Sequence, residues 1–295
     1  MTSVTKPFLK WVGGKTQILP QILQKIPKTM ENYHEPFLGG GSVLLAVCSH
    51  QKIGNIQIRG NIYAYDINPI LISVYQNIQS HKDMVFHYIQ KYLQVYDTHC
   101  TGEVVNRNPT CEEEAVSSKE SYYYWLRKQM NQHPDKASPE CSALFILLNK
   151  LCFRGVYREG PNGFNVPFGH YKTTPTIITQ SEIDHISQLI QKVSFVCLDF
   201  AKVFPNISHG DFVYLDPPYA PENKTSFVGS KKEGFSLQQH EKLFALTKNL
   251  IQQKVSFLMS NSDVDLVTNA FSEPTYSIEK ILCRRAIHSK NPGSK

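Results

Sequence analysis

The chain lacks the sequence signatures of a membrane-spanning, secreted or metal-binding protein. None of its apolar runs approaches the ~20 residues that cross a bilayer. Residues 1–10 contain no apolar signal segment. Its seven cysteines form no Cys-x-x-Cys pair, which argues against a zinc site or a disulfide framework and for reduced thiols. We therefore expect a cytoplasmic protein that is not secreted and needs neither a membrane nor a metal.

Acidic residues are absent from both ends of the chain. Residues 1–30 carry five lysines, residues 280–295 carry five basic residues, and the net charge of the chain is +6. Basic ends suit a polyanionic partner such as a nucleic acid. A solvated basic terminus explains either end alone equally well. The charge pattern therefore needs support from motifs.

Two glycine-rich segments lie where a ligand could approach the backbone. Gly13-Gly14-Lys15 precedes a helical pattern, and Gly39-Gly40-Gly41 lies between a predicted strand and a helix that begins at Ser42. The first segment lacks the spacing of a Walker A loop. Position 44 is Leu, where a dinucleotide-binding fingerprint requires glycine. A cofactor without phosphates remains compatible with both segments.

Asp66 ends the next predicted strand, residues 62–66. An acid at this position can accept hydrogen bonds from both hydroxyls of a ribose. The same side chain could instead cap the helix predicted to begin near Pro69. The two roles are compatible with each other.

The most informative segment is Asp216-Pro217-Pro218-Tyr219, which follows a predicted buried strand at residues 210–215. Ligands of parallel sheets bind outside the carboxyl ends of the strands. Two prolines end the sheet ladder and leave rigid, unpaired carbonyls. The segment therefore presents a carboxylate, a carbonyl and an aromatic ring, which together can hold an exocyclic amine on a flat ring. Taken alone, an ordinary turn explains it as well.

The alternation of strands and helices stops near Gln76 and resumes after residue 171. Helical patterns cover residues 83–96, 118–132 and 140–152. We expect residues 76–171 to form a mainly helical domain inserted between α/β segments at residues 1–75 and 172–295.

Residues 153–171 alternate aromatics and glycines with Arg154, Arg158 and His170, and Gly160-Pro161-Asn162-Gly163 indicates a tight reversal. Such a β-hairpin suits contact with base edges. A plain hairpin with solvent-facing arginines is the alternative.

Two further features follow the tetrapeptide. Residues 220–234 form a polar segment with three lysines, placed where a lid would close over a ligand. Ser236 and Gln239 form the pattern of a capping box and predict the start of a helix. Residues 255–259 are predicted to form another strand.

Five segments, taken together and in this order, resemble the Dam-like (D12 class) DNA adenine N6-methyltransferases nearly end to end. They are Lys10-Trp11-Val12-Gly13-Gly14-Lys15, Glu35-Pro36-Phe37-Leu38-Gly39-Gly40-Gly41-Ser42, Tyr65-Asp66-Ile67-Asn68, Phe164-Asn165-Val166-Pro167-Phe168-Gly169 and Asp216-Pro217-Pro218-Tyr219. The resemblance implies an α/β fold, with a Rossmann-like S-adenosylmethionine-dependent methyltransferase sheet. It also implies that the inserted helical domain and its hairpin recognise DNA.

The resemblance assigns roles to particular residues. The catalytic residues would be Asp216, Pro217, Pro218 and Tyr219. The cofactor, S-adenosylmethionine, would be held by Trp11, Lys15, Phe37, Gly39, Gly41, Asp66 and Asp216. Double-stranded DNA would be contacted by Arg154, Tyr157, Arg158, Asn165 and His170. The implied reaction methylates N6 of a flipped adenine in a short palindromic site, and no metal takes part.

The resemblance leaves the recognised sequence open between CATG and GATC. Members that modify GATC typically carry Asn-Gly where this chain has Arg154-Gly155, whereas Arg158 matches their recognition arginine. The segment Cys152-Phe153-Arg154-Gly155 is more similar to relatives that modify CATG. The resemblance is compatible with a restriction-modification setting, with a bacterial, phage or viral origin, and with a monomer or weak dimer, and it leaves each of these open.

Three other classes of protein were compared with this prediction. A methyltransferase could act on another amine, such as RNA adenine, DNA cytosine N4 or a protein glutamine; Asp216 before Pro-Pro favours adenine. A non-catalytic, cofactor-regulated DNA-binding protein is disfavoured by an intact Asp216, Tyr219 and Lys15. A nicotinamide dehydrogenase is disfavoured by Leu44.

Overall fold

The computed structural model describes residues 5–221 and 235–283. Within these ranges the strands are β1 (Thr29–Met30), β2 (Tyr33–Glu35), β3 (Gln57–Ile58), β4 (Ile62–Asp66), β5 (Glu159–Gly160), β6 (Gly163–Phe164), β7 (Val193–Cys197), β8 (Phe212–Leu215) and β9 (Ser256–Met259). The α-helices are α1 (Leu19–Lys25), α2 (Ser42–Lys52), α3 (Pro69–Thr98), α4 (Glu112–Ala115), α5 (Lys119–Gln132), α6 (Pro139–Leu151), α7 (Gln180–Leu189), α8 (Phe200–Val203), α9 (Leu237–Gln252) and α10 (Asp265–Ala270). Most of the predicted lid, residues 222–234, and the basic segment from residue 284 lie outside the described residues.

The chain folds into two compact units. The first unit contains residues 5–14, 39–41 and 66–197, and the second contains residues 15–38, 42–65, 198–221 and 235–283. The first unit is mainly helical, and the second holds a parallel sheet. The three-segment division predicted from the sequence stays a prediction.

Four strands of the second unit form a parallel sheet in the order β4, β2, β8, β9. Tyr33 lies opposite both Ile62 and Phe212, and Leu215 lies opposite Met259. Strands β2 and β8 are buried along their whole length, as expected for parallel strands that are covered on both faces. The sheet confirms the α/β class and brings the ends of β2 and β8 side by side.

The helix after the predicted lid begins as the sequence predicts. The Ser236 hydroxyl accepts a hydrogen bond from the Gln239 backbone N–H at 3.2 Å, and the Gln239 side chain accepts one from the Ser236 N–H at 2.8 Å. Helix α9 then buries Leu243 and Leu250 in the same core as Val213 of β8. This packing fixes α9 against the inner strand β8.

Helix α3 joins two helices that the sequence analysis separated. It runs from Pro69 to Thr98, with one non-helical residue at His81 (φ −135°, ψ 31°). No proline or glycine interrupts residues 70–98, and buried apolar side chains continue at helical spacing across the irregular residue. These side chains are Leu71, Val74, Ile78, Val85 and Ile89. The two helical patterns predicted from the sequence therefore form one helix with a kink at His81.

The structure confirms the predicted hairpin. Strands β5 and β6 pair antiparallel, with Gly160 opposite Gly163 and Glu159 opposite Phe164. Asn131 of α5 anchors the second strand, because its side chain accepts from the Phe164 N–H and donates to the Phe164 carbonyl, both at 2.9 Å. The hairpin is thereby tied to the first unit.

The described part of the chain contains neither a membrane-spanning helix nor a cluster of metal-binding side chains. Between residues 5 and 221 and between 235 and 283, no helix is both long and apolar enough to cross a membrane. In the same ranges, no group of three or more His, Cys, Asp or Glu side chains is arranged to hold a metal ion. All seven cysteines fall in these ranges, and each is a free thiol.

Candidate active site

The tetrapeptide lies at the carboxyl end of the inner strand β8. The ladder between β8 and β9 continues to Leu215, whose carbonyl accepts from the Ser260 N–H at 2.9 Å. Beyond it the chain leaves the sheet: Asp216 is partly buried, Pro217 is buried, and Pro218 and Tyr219 are exposed. The sequence-based placement of this segment at a strand end is confirmed.

Lys15 is buried against the tetrapeptide. Its Nζ lies 2.6 Å from Oδ1 of Asp216 and 4.8 Å from the centre of the Tyr219 ring, and its side chain is only 5% exposed. The Lys15 backbone N–H donates to the Ser42 hydroxyl at 3.4 Å, at the start of α2. The glycine pair and Lys15 were interpreted as a possible ligand loop; Lys15 pairs with the Asp216 carboxylate, and a ligand at this loop stays a prediction.

The Lys15–Asp216 pair is ionised at neutral pH. Burial raises the pKa of Asp216 to about 6, against the opposing charge of Lys15. Burial alone would lower the pKa of Lys15, but Asp216 and Tyr219 outweigh it, so this pKa lies above its usual value. Asp216 therefore stays a carboxylate at pH 7 and becomes protonated as the pH falls through about 6.

Glu35 adds a second carboxyl group at the same edge of the sheet. It ends β2, is 2% exposed, and accepts a hydrogen bond from the Tyr33 hydroxyl at 2.6 Å. Burial, with a smaller contribution from the charge of Asp216, raises its pKa to about 8 against the opposing effects of the Tyr33 hydroxyl and Lys15. Glu35 is therefore a neutral acid at pH 7. We call Lys15, Glu35, Asp216 and Tyr219 the tetrapeptide cluster.

The glycine loop of the first unit is shaped by an indole ring. Gly39 and Gly41 have φ values of 50° and 67°, where glycine is favoured. A Cβ on Gly39 or on Gly40 would come within 2.8 Å of Trp11, and one on Gly41 within 2.5 Å of the Tyr75 hydroxyl. The three glycines therefore allow an approach that no other residue permits.

Asp66 belongs to this loop. One of its carboxyl oxygens accepts from the Gly39 N–H at 3.0 Å and the other from the Asn68 N–H at 2.9 Å. Burial raises its pKa, although these backbone N–H groups oppose the shift. Asn68, not Asp66, caps α3, because its side chain accepts from the Leu71 N–H at 3.1 Å. Each carboxyl oxygen of Asp66 keeps a lone pair for a ligand.

Tyr157 stacks on Trp11. Their ring centres are 5.3 Å apart with an interplanar angle of 18°. Phe145 stacks on Trp11 at 6.4 Å and lies tilted against Tyr157 at 5.4 Å. A residue predicted to contact DNA thus contacts one predicted to hold the cofactor. We call Trp11, Gly39, Gly40, Asp66 and Tyr157 the glycine-loop cluster.

Phe37, in the second unit, was also predicted to hold the cofactor. Its ring stacks on Phe200 at 5.4 Å and meets Phe235 edge-on at 5.9 Å. These contacts place Phe37 at the border of the hydrophobic core of that unit. Its contact with a cofactor stays a prediction.

The other predicted DNA-contacting residues are exposed. Arg158 donates to the Asn165 side chain at 2.7 Å, across the hairpin. His170 Nε2 lies 3.6 Å from Glu120. Arg154 and His170 both have positive φ, 56° and 45°, a strained conformation for residues other than glycine. The contacts of these side chains with DNA stay predictions.

Sequence reasoning gave no role to Glu35 or to the segment at residues 260–262. The available signal for Glu35 was its position at the end of a predicted strand, where functional side chains of parallel sheets lie. No local signal indicated Ser260, Asn261 or Ser262, since small polar residues after a strand are common in loops.

Comparison with known proteins agrees with this arrangement. A family model described as D12 class N6 adenine-specific DNA methyltransferase matches residues 11–287. The chain is 32% identical to the type II methyltransferase M.MjaIII of Methanocaldococcus jannaschii, over 98% of this chain and 95% of that protein. It is 31% identical to the DNA adenine methylases of Haemophilus influenzae (97% of this chain, 89% of that protein) and Escherichia coli K12 (98% and 91%). The chain therefore belongs to the D12 class of N6 adenine-specific DNA methyltransferases, which confirms the family and enzyme class expected from its motifs.

Proposed function

We propose that the protein transfers a methyl group from S-adenosylmethionine to N6 of an adenine flipped out of duplex DNA. The observation that carries this proposal is the buried ion pair of Lys15 and Asp216 beside the exposed ring of Tyr219, at the end of β8. A carboxylate held ionised next to an exposed aromatic ring suits an amine on a flat base. The family supports the same reaction.

The glycine-loop cluster fits a nucleoside cofactor. Gly39 and Gly40 bring the loop backbone against the Trp11 ring, closer than a residue with a Cβ could come. Asp66 offers carboxylate lone pairs that suit the hydroxyls of a ribose. When bound, S-adenosylmethionine supplies a methyl group on a sulfonium, and the electrons of the broken S–C bond return to sulfur as the N–C bond forms. Trp11, Gly39, Gly41 and Asp66 would bind it, and the family resemblance also assigns Phe37 and Lys15 to the cofactor.

The tetrapeptide would prepare the amine for attack. The N6 lone pair is conjugated with the adenine ring, so the amine is a weak nucleophile. The Asp216 carboxylate and the Pro217 carbonyl would accept the two N–H hydrogen bonds and turn the lone pair toward the methyl group. Positioning of this kind, with acceptors already in place, supplies much of the rate of such a transfer. One N6 proton then leaves toward Asp216 or water.

Tyr219 would hold the flipped base. Its ring is 44% exposed, and stacking of a base on an aromatic ring is worth ~1–3 kcal/mol. Extruding a base from the duplex costs a few kcal/mol. Stacking therefore offsets a large part of the cost of flipping.

The predicted recognition domain, residues 76–171, would read the target sequence. Its hairpin exposes Arg154, Arg158, Asn165 and His170, and an arginine can contact guanine with two hydrogen bonds in the major groove. Both CATG and GATC contain a guanine for such a contact. We propose one of these palindromes as the target.

The proposal is tested by incubating unmethylated plasmid with the protein and S-adenosylmethionine, and reading N6-methyladenine at base resolution. We expect modification of one adenine in a single short palindrome. Asp216→Ala should abolish it, whereas Asp83→Ala, which removes an 80% exposed carboxylate, should leave it intact. Modification of cytosine or of RNA only, or full activity of Asp216→Ala, would contradict the proposal.

A further inference from the structure

The backbone of the tetrapeptide has few groups with which a sheet could hold it. Pro217, Pro218 and Pro221 have no N–H, so three of the six residues at 216–221 cannot donate to a neighbouring strand. Strand β8 ends at Leu215, before the residues that matter. A precise position for Asp216 and Tyr219 therefore requires contacts from elsewhere.

The segment after β9 supplies these contacts to Ala220. The Ala220 N–H donates to Oδ1 of Asn261 at 3.0 Å, and the Ala220 carbonyl accepts from the Ser262 hydroxyl. Ala220 is 3% exposed. Two side chains thus contact both polar groups of one residue, as a neighbouring strand would.

The same segment also contacts the end of β8. The Ser260 N–H donates to the Leu215 carbonyl at 2.9 Å, and the Ser260 hydroxyl lies 3.0 Å from the Tyr214 hydroxyl. Residues 260–262 therefore hold the chain immediately before and immediately after Asp216-Pro217-Pro218-Tyr219. Lys15 restrains the same tetrapeptide through its side chains.

The side-chain oxygen of Asn261, Oδ1, is the atom that accepts the hydrogen bond from the Ala220 N–H. It accepts a second hydrogen bond from the Ser262 N–H at 2.9 Å, which fixes the orientation of the amide. The amide nitrogen is buried and has no hydrogen-bond partner among the described residues. Aspartate at this position would therefore keep the accepting oxygen and lose no hydrogen bond of the amide nitrogen.

We infer that Asn261 and Ser262 are positioning residues for methyl transfer, because they hold the Ala220 peptide and thereby place Asp216, the Pro217 carbonyl and Tyr219. This inference rests on the proposed function. Neither residue touches the reacting atoms in this account. Their loss should therefore reduce the rate of transfer more than it reduces binding of cofactor or DNA.

Two matched pairs of variants test the inference. Asn261→Ala removes the acceptor and Asn261→Asp keeps it; Ser262→Ala removes the hydroxyl and Ser262→Thr keeps it. We expect kcat to fall ~10²-fold in the two alanine variants, as a misplaced catalytic group predicts, and to recover in their partners. The Kd for S-adenosylmethionine should not change. Ser272→Ala, which removes an exposed hydroxyl bonded to Asn269, is the control.

Hydrogen exchange of the Ala220 amide tests its hydrogen bond to Asn261 without a measurement of methyl transfer. We expect protection in the wild type and Asn261→Asp, and faster exchange in Asn261→Ala. Wild-type kcat in both alanine variants, or equal loss in each matched pair, would overturn the inference. A wild-type chain that transfers no methyl group to adenine would overturn the proposed function instead. In that case, equal exchange of the Ala220 amide in the wild type and in Asn261→Ala would also show that Asn261 does not hold the Ala220 peptide.

Discussion

Arg154 has a left-handed backbone conformation, with φ 56° and ψ 11°, on the exposed surface of the predicted recognition hairpin. This conformation costs a residue with a Cβ about 1–2 kcal/mol. The next residue, Gly155, also has positive φ, and a Cβ there would lie 2.4 Å from the Lys10 side chain. The Asn-Gly pair that the resemblance implies for GATC-modifying members would suit both positions, since Asn tolerates this region.

We predict that Arg154→Gly raises the free energy of unfolding by about 0.5–1 kcal/mol, because relief of the strain exceeds the entropic cost of glycine. The same variant should weaken binding of the target duplex by about 1–3 kcal/mol if the guanidinium contacts a base. Urea denaturation and duplex binding at one fixed salt concentration measure the two effects.

Lys254 provides the matched control. It is also exposed with φ 56°, but follows α9 in the second unit. Lys254→Gly should stabilise the protein by a similar amount and leave DNA affinity unchanged. Equal losses of affinity in the two variants would show that Arg154 has no special role.

Glu35 makes stability depend on pH. Its pKa is raised from 4.5 to about 8 in the folded state, so the folded protein binds more protons than the unfolded chain between these values. Its stabilising contribution is complete below pH 4.5 and is lost as the pH rises toward 8. We predict that Glu35→Gln raises the free energy of unfolding by about 4 kcal/mol at pH 8 and changes it little at pH 4.5.

Urea denaturation at both pH values measures this difference. Glu279→Gln, at an exposed carboxyl paired with Lys25, should change stability by less than about 0.5 kcal/mol at either pH. A Glu35→Gln variant with the same pH dependence as the wild type would contradict the protonated state of Glu35.

The glycine loop can be tested as an element. Gly39 and Gly54 both have positive φ, 50° and 79°, so alanine at either position adds backbone strain of about 1–2 kcal/mol. Only at Gly39 does the added Cβ also meet Trp11, whereas nothing lies within 4 Å of it at Gly54. We predict that Gly39→Ala weakens S-adenosylmethionine binding at least about tenfold, or about 1.4 kcal/mol, and that Gly54→Ala does not. Calorimetric titration measures the dissociation constant of S-adenosylmethionine for each variant. Equal constants for Gly39→Ala and Gly54→Ala would show that the glycine loop does not bind the cofactor.

Elements with a local signal were predicted well. The capping box at Ser236 and the reversal at Gly160-Pro161-Asn162-Gly163 depend on neighbouring residues, and both are present. The two helical patterns within α3 were predicted separately, and the structure joins them across the kink at His81. No proline or glycine follows Pro69 within α3, so the sequence gives no local signal for the exact position of this kink.

At the level of the whole molecule, the order of five motifs gave the family and the α/β sheet, since each motif belongs to a strand end or a loop. The pairing of Lys15 with Asp216 could not be predicted, because the two residues are far apart in the sequence and meet only through the sheet order. The stack of Tyr157 on Trp11 likewise depends on how residues 8–14 pack on α6. Such contacts are set by tertiary packing, which a single sequence does not encode locally.

The ion pair at the tetrapeptide is the central claim of this account, and its most direct test is the pH dependence of single-turnover methyl transfer. Asp216 must be ionised to accept the amine hydrogens, so the wild-type rate should fall as the pH drops through about 6. Lys15→Met removes the opposing charge and should move this limb upward by about 1–3 pH units. Lys25→Met, at a half-exposed lysine, should leave it in place. A Lys15→Met profile that coincides with the wild-type profile would contradict the account.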